Sequence, residues 1–166
     1  MRDNGRFVSL ENVEIVRTML ETWDTVGIEH ATDTLDPDVE LVDLQAVMGM
    51  QDRGRGPAEL DRMAKQWTEI FDDWGLEVIN LVALGRDFVM AEVCFEGVGR
   101  DSGAPVSNRQ FEVYRLAADK IVEIRVGFRD RDEALEWTGR RRAALSQESR
   151  AAAQDQFNTD SSRGTR

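Results

Sequence analysis

At 166 residues the chain has the length of one globular domain with some chain to spare. Hydrophobic residues make up 41% of it, enough for a core without staples, and the single cysteine, Cys94, has no internal partner, which points to a reducing, cytoplasmic setting. No apolar run nears the ~18 residues of a membrane span, and residues 1–6 are not followed by the apolar stretch of a secretion signal. The formal charge of −11 is unevenly spread: residues 140–166 carry six arginines against three acids, leaving −14 on residues 1–139. A body that acidic repels phosphate backbones and anionic lipid, so no nucleic acid and no membrane are expected as partners. Arg140, Arg141 and Arg142 read as a solvated helix end.

In chain order, residues 1–8 form an arm, and Ser9 is placed to cap a helix with Glu11 in its first turn. Val13, Val16, Leu20 and Trp23 recur at three- and four-residue spacing, an amphipathic helix closed by Gly27. A short second helix is predicted over 28–35, ending before Asp36-Pro37, because the residue before a proline resists helix. Residues 39–43 alternate as a strand. Pro57 suits the first position of a third helix, whose stripe of Leu60, Met63, Ala64, Trp67, Ile70, Phe71 and Trp74 spans about five turns.

From Gly75 onward the residues are β-branched and aromatic. Strands are predicted over 76–84, 88–98, 106–116 and 121–128, separated by turn signals too short for crossover helices, hence an antiparallel meander. A short helix over 132–137 ends at Gly139, followed by a basic helical extension from 140 and a disordered tail over 157–166. Helices followed by strands give an α+β fold, with N-terminal helices on a strongly curved, mainly antiparallel sheet closing a cone. Short helices leave part of the concave side open as a cavity. Apolar residues on the other face point to a homodimer. One domain is expected over 9–139.

Several segments then resemble a known family. They are Leu35-Asp36-Pro37-Asp38-Val39-Glu40, Gly54-Arg55-Gly56-Pro57-Ala58-Glu59-Leu60, the Gly-rich hairpin from Gly97 to Val106, and Lys120-Ile121-Val122-Glu123-Ile124-Arg125 leading to Asp130-Arg131-Asp132-Glu133-Ala134-Leu135. In this order and spacing they resemble the SnoaL-like branch of the nuclear transport factor 2-like superfamily over residues 13–139. That superfamily includes ketosteroid isomerase, limonene epoxide hydrolase and polyketide cyclases, so the resemblance implies a fold and leaves the reaction open.

Asp43 sits at the inward end of the first strand beside Leu41 and Leu44. A carboxylate there is either desolvated by apolar neighbours, which makes it a better proton acceptor, or turned to solvent as a loop cap. The resemblance matches Asp43 to the general-base aspartate of ketosteroid isomerase. It also sets Glu112 where the isomerase keeps a protonated aspartate that donates to a developing oxyanion. The alternative for Glu112 is an ion pair with Arg115 or Arg109. Tyr114 is a further candidate donor. The isomerase's helix-one tyrosine corresponds to about Leu20, which has no hydroxyl, so steroid isomerisation is not expected. No strand carries the Arg-x-Asp of the epoxide hydrolase, and His30, the sole histidine, reads as a surface group.

Trp23, Trp67 and Phe71 on the helix stripes, with Val126 and Phe128 on the last strand, are candidates to line a pocket for a small apolar molecule, or else simply to fill the core. Gly97, Gly99 and Gly103 join two strands instead of opening a helix, so they are no dinucleotide site. No metal-ligand spacing is present, so no cofactor and no metal are expected. Two readings follow: a proton-transferring isomerase or cyclase type of enzyme, and a non-catalytic ligand-binding or dimerisation module.

Overall fold

The computed structural model describes residues 4–26, 31–44 and 53–163. The chain divides into two compact units, Met1–Ala134 and Leu135–Arg166. The first holds a six-stranded, curved, unclosed sheet with helices packed on it, an α+β architecture.

Helix α1 (Asn4–Val26) buries Val16, Met19 and Leu20, one stripe at three- and four-residue spacing. It begins ahead of Ser9, which therefore lies inside the helix and is not its cap. Asn12, buried on α1, donates to the Arg86 carbonyl at 2.8 Å and ties the helix to the sheet. Gly27 and His30 lie outside the described residues. Of the helix predicted over 28–35, what is described is a single 3-10 turn at Thr32–Thr34, closed by the Thr34 hydroxyl donating to the Ala31 carbonyl at 2.8 Å. Leu35 already opens strand β1 (Leu35–Asp43), because Pro37 fixes an extended-compatible φ and Leu35, Val39 and Leu41 bury alternate positions.

Strand β2 (Arg53–Arg55) pairs antiparallel with β1. Gly56 then turns at φ 84°, a left-handed conformation that costs a side-chain-bearing residue, and its N–H donates to the Val39 carbonyl at 2.7 Å. Helix α2 (Pro57–Ile70) starts with proline at its first turn and buries Leu60 and Met63. It is shorter than the apolar stripe implies. Phe71 is extended (φ −121°, ψ 138°), so Phe71 and Trp74 belong to strand β3 (Phe71–Leu84). Their helical spacing from Trp67 and Ile70 is a coincidence of the two periods.

Strands β4 (Phe88–Gly99), β5 (Pro105–Ala117) and β6 (Lys120–Phe128) complete an antiparallel meander from β3, close to the predicted bounds. The sheet order is β2-β1-β6-β5-β4-β3, with β1 parallel to β6 as the single parallel pair among the described residues. The main core cluster lies on one face, where Val16, Met19 and Leu20 of α1 meet Leu41, Val89, Ala91, Val93, Tyr114 and Ile124 of the sheet.

Helix α3 (Arg131–Arg163) does not stop at Gly139 and extends through the first residues of the predicted tail. One interior glycine costs about 1 kcal/mol, less than a run of Ala, Arg, Gln and Glu supplies in helix propensity. Ion pairs Arg140–Glu136 and, at 3.3 Å, Arg141–Glu148 lie along it. No described helix is long and apolar enough to cross a membrane.

Candidate functional site

Between the helices and the concave sheet face lies a cavity that opens to solvent. Its helical wall is Trp23 of α1 with Met63 and Trp67 of α2. The sheet contributes Asp43, Trp74, Leu76, Phe95, Gln110, Glu112 and Val126. Strand parity explains most of this set: Gln110 and Glu112 point the same way from β5, as do Trp74 and Leu76 from β3.

At one side Trp67 packs edge-on against Phe95 (centroids 4.5 Å) and at 6.2 Å from Trp74, while Phe71 stacks on Trp67 at 5.5 Å. Trp74 reaches this cluster through a bulge. Asp73 has φ 48°, and the β3–β4 register slips between Asp72 and Gly75. Opposite Trp74, Gly97 leaves the room, since a methyl group there would meet Trp74 Cβ at 3.0 Å.

The polar side of the cavity holds two buried carboxyl groups, Asp43 at 5% and Glu112 at 4% exposure. Asp43 comes from the end of β1, next to Val126 through the parallel pairing with β6. Neither arginine weighed as a partner for Glu112 reaches it: Arg115 pairs with Glu123 at 3.1 Å, and Arg109 pairs with Glu92. Glu112 instead accepts from the Tyr114 hydroxyl and from Gln110 Nε2 at 3.1 Å. Asn108 Nδ2 in turn donates to Gln110 Oε1 at 3.3 Å. That leaves the second amide hydrogen of Gln110 for the cavity.

Burial raises the pKa of Glu112 above the ordinary carboxylate value; the hydrogen bonds from Tyr114 and Gln110 oppose the rise, and the nearby Asp43 charge adds to it. Burial likewise pushes the Tyr114 phenol well above its usual value, with the Glu112 charge and hydrogen bond acting in the same direction. Glu112 is thereby biased toward the neutral acid, a form able to donate.

The structure thus brings Asp43, Glu112, Trp23, Trp67 and Val126 to one cavity. Three candidates fall elsewhere. Tyr114 is fully buried in the core and meets the site only through Glu112. Phe71 backs Trp67 without lining the cavity. Phe128 pairs in register with Phe111, on the face opposite Glu112, because Gly127 (φ 90°) and a register slip beyond Phe111 break the alternation from Val126. Of the other lining residues, Met63 and Trp74 were read from the sequence only as part of a helix stripe, and Leu76, Phe95 and Gln110 were not singled out; the period-two spacing of Gln110 from Glu112 was the available signal. Among the described residues no cluster of three or more His, Cys, Asp or Glu could hold a metal ion.

A family model, the SnoaL-like domain, matches residues 16–124. No curated protein sequence matches the chain significantly. Solved structures are similar in fold at low identity. A nuclear transport factor 2-like protein of unknown function from Burkholderia pseudomallei is 15% identical, with a TM-score of 0.64 over 71% of this chain and 90% of its own. A protein with a ketosteroid isomerase-like fold from Catenulispora acidiphila, in complex with trimethylamine, is 14% identical, with a TM-score of 0.59 over 69% and 85%. TerC, co-crystallized with polyporic acid, is 17% identical, with a TM-score of 0.64 over 71% and 91%.

Proposed function

Given that the chain belongs to the SnoaL-like domain family, we propose that it binds a flat, mostly apolar small molecule in the cavity and moves a proton on it, with Asp43 as base and Glu112 as hydrogen-bond donor. The observation that carries this reading is the pair of buried carboxyl groups in one mainly apolar cavity, one of them biased toward its protonated form. The aromatic side chains of Trp23, Trp67, Trp74 and Phe95 suit a planar ring system. A relative of the same fold co-crystallized with polyporic acid adds support for ligand binding.

In this mechanism Asp43 removes a proton from a carbon next to a carbonyl group. The C–H electron pair moves into the new C=C bond and the carbonyl π pair onto oxygen, where the Glu112 O–H and the spare Gln110 N–H stabilise the growing charge. Asp43 then returns the proton to the same carbon or to a conjugated one, and electrons and atoms balance without a co-reactant. Tyr114 holds the Glu112 carboxyl in place from behind.

The test uses 2-tetralone, a planar bicyclic ketone with acidic C1 hydrogens, in D2O at neutral pD, with exchange followed by proton NMR. Exchange at C1 accelerates above the buffer rate with the native protein, and Asp43→Asn lowers the protein-dependent rate by ~10²–10⁴-fold. Binding of the ketone, read as quenching of tryptophan fluorescence, with equal exchange in both proteins overturns the catalytic assignment and favours a binding module.

A further inference from the structure

On the opposite face of the sheet, pairing register lines charged residues up in two rows. One row reads Arg55–Glu40–Glu123–Arg115 across β2, β1, β6 and β5, and the next reads Arg53–Val42–Arg125–Val113. The first row is neutral within itself: Arg55 meets Glu40 at 3.2 Å and Arg115 meets the buried Glu123 at 3.1 Å. Arg125 leans from the second row to the same Glu123, at 3.2 Å. Among the described residues of the two rows, four arginines face two glutamates, and the row of Arg53 contains no acid. Such a surplus of two positive charges stands out in a chain whose net charge is −11.

The second row also has a shape suited to a ligand. Neighbouring strands lie about 4.8 Å apart, so Arg53 and Arg125 flank Val42 at about 10 Å between their backbones. Long side chains from both sides can close over the small Val42. A hollow of about 610 Å³, counting its mouth, is lined by Glu40, Val42, Arg53, Gly54, Arg55 and Arg125. Arg125 is held against Glu123 with its side chain only 19% exposed, so it is largely ordered in advance, while Arg53 is exposed. The one acid among the described residues that line the hollow, Glu40, is engaged by Arg55.

From this arrangement the geometry points to an oxyanion site, separate from the cavity, that takes a phosphate group between Arg53 and Arg125 with Arg55 at the rim. Guanidinium forks match the paired oxygens of phosphate, and a doubly charged anion gains from two of them at once. A chloride ion offers no such pair. The phosphate belongs either to the inorganic ion or to a phosphomonoester, and both present the same terminal oxygens.

The test titrates the full-length protein with inorganic phosphate and, separately, methyl phosphate, at constant ionic strength balanced with sodium chloride. Arginine Nε–H resonances are followed by NMR. Saturable shifts of Arg53 and Arg125 are expected, with affinity for the better ligand lowered about tenfold in Arg53→Gln. Arg53 is exposed, so this variant keeps the fold, and a far-UV circular dichroism spectrum checks that. Glu40→Gln is expected to tighten binding by removing the acid from the hollow. Tighter binding of methyl phosphate assigns the site to an ester, and tighter binding of phosphate assigns it to the free ion. Linear shifts that chloride reproduces, or an affinity unchanged in Arg53→Gln, overturn the proposal.

Discussion

Replacing Glu112 by glutamine keeps the shape of the side chain and removes its titration. In the native protein the folded state holds this proton more tightly than the unfolded chain does, because burial raises the pKa from about 4.5. The folded protein therefore binds more protons than the unfolded one between the two values, and stability must fall as pH rises through that window. The loss grows by about 1.4 kcal/mol for every tenfold difference in proton affinity between the two states. Glu112→Gln has no such loss. Its own cost is independent of pH: the Tyr114 hydroxyl still finds an acceptor, but the new amide brings N–H toward Gln110 Nε2, which now donates to a carboxylate oxygen. One unmatched buried donor costs about 1–3 kcal/mol. Native protein should thus be the more stable by that amount at pH 4, and the variant should gain on it as pH rises above about 4.5, until the raised pKa is passed. Urea unfolding followed by circular dichroism at pH 4, 6 and 8 measures the gap, below the range in which Tyr114 titrates. A gap that stays constant or widens with pH would mean that Glu112 is not held toward its neutral form, and the donor role would go with it.

Two further substitutions probe the cavity wall and the core beneath it. Gly97→Ala should push Trp74 away from the aromatic cluster, since the added methyl stands 3.0 Å from Trp74 Cβ and 3.3 Å from Phe95 Cζ. A shifted tryptophan emission maximum, weaker quenching by 2-tetralone and a stability loss of about 1–3 kcal/mol are expected, and unchanged emission refutes the role given to that glycine. Leu41→Ala empties a fully buried site in β1, two residues from Asp43. It should cost about 2–5 kcal/mol in denaturant unfolding, and a cost under 1 kcal/mol would place the core elsewhere.

The sheet was legible because its strands follow period-two patterns between clear turns, as at Gly85-Arg86-Asp87 and Ala118-Asp119. The end of α2 was not, because Phe71 and Trp74 satisfy the helical spacing while the backbone is already extended. The same ambiguity hid Trp74 as part of the cavity wall. Phe128 misled for the opposite reason: alternation from Val126 is sound only while register holds, and Gly127 breaks it. Asp43 and Glu112 could be named from the family resemblance alone. That they face one hollow depends on β1 joining β6, a contact between remote stretches of chain that local pattern does not encode.

The parallel seam between β1 and β6 has a consequence for how the molecule is made. Strands β3 to β6 are linked by tight hairpins and can zip up from neighbours in sequence, whereas β1 must wait for a partner that is synthesised last of all the strands. On a ribosome, the first strand emerges early and has only the three-residue β2 beside it until β6 arrives. Asp43, aligned with Val126 in that seam, would then join Glu112 only at the final zippering, so the two acids meet in the chain's last act of folding and not before.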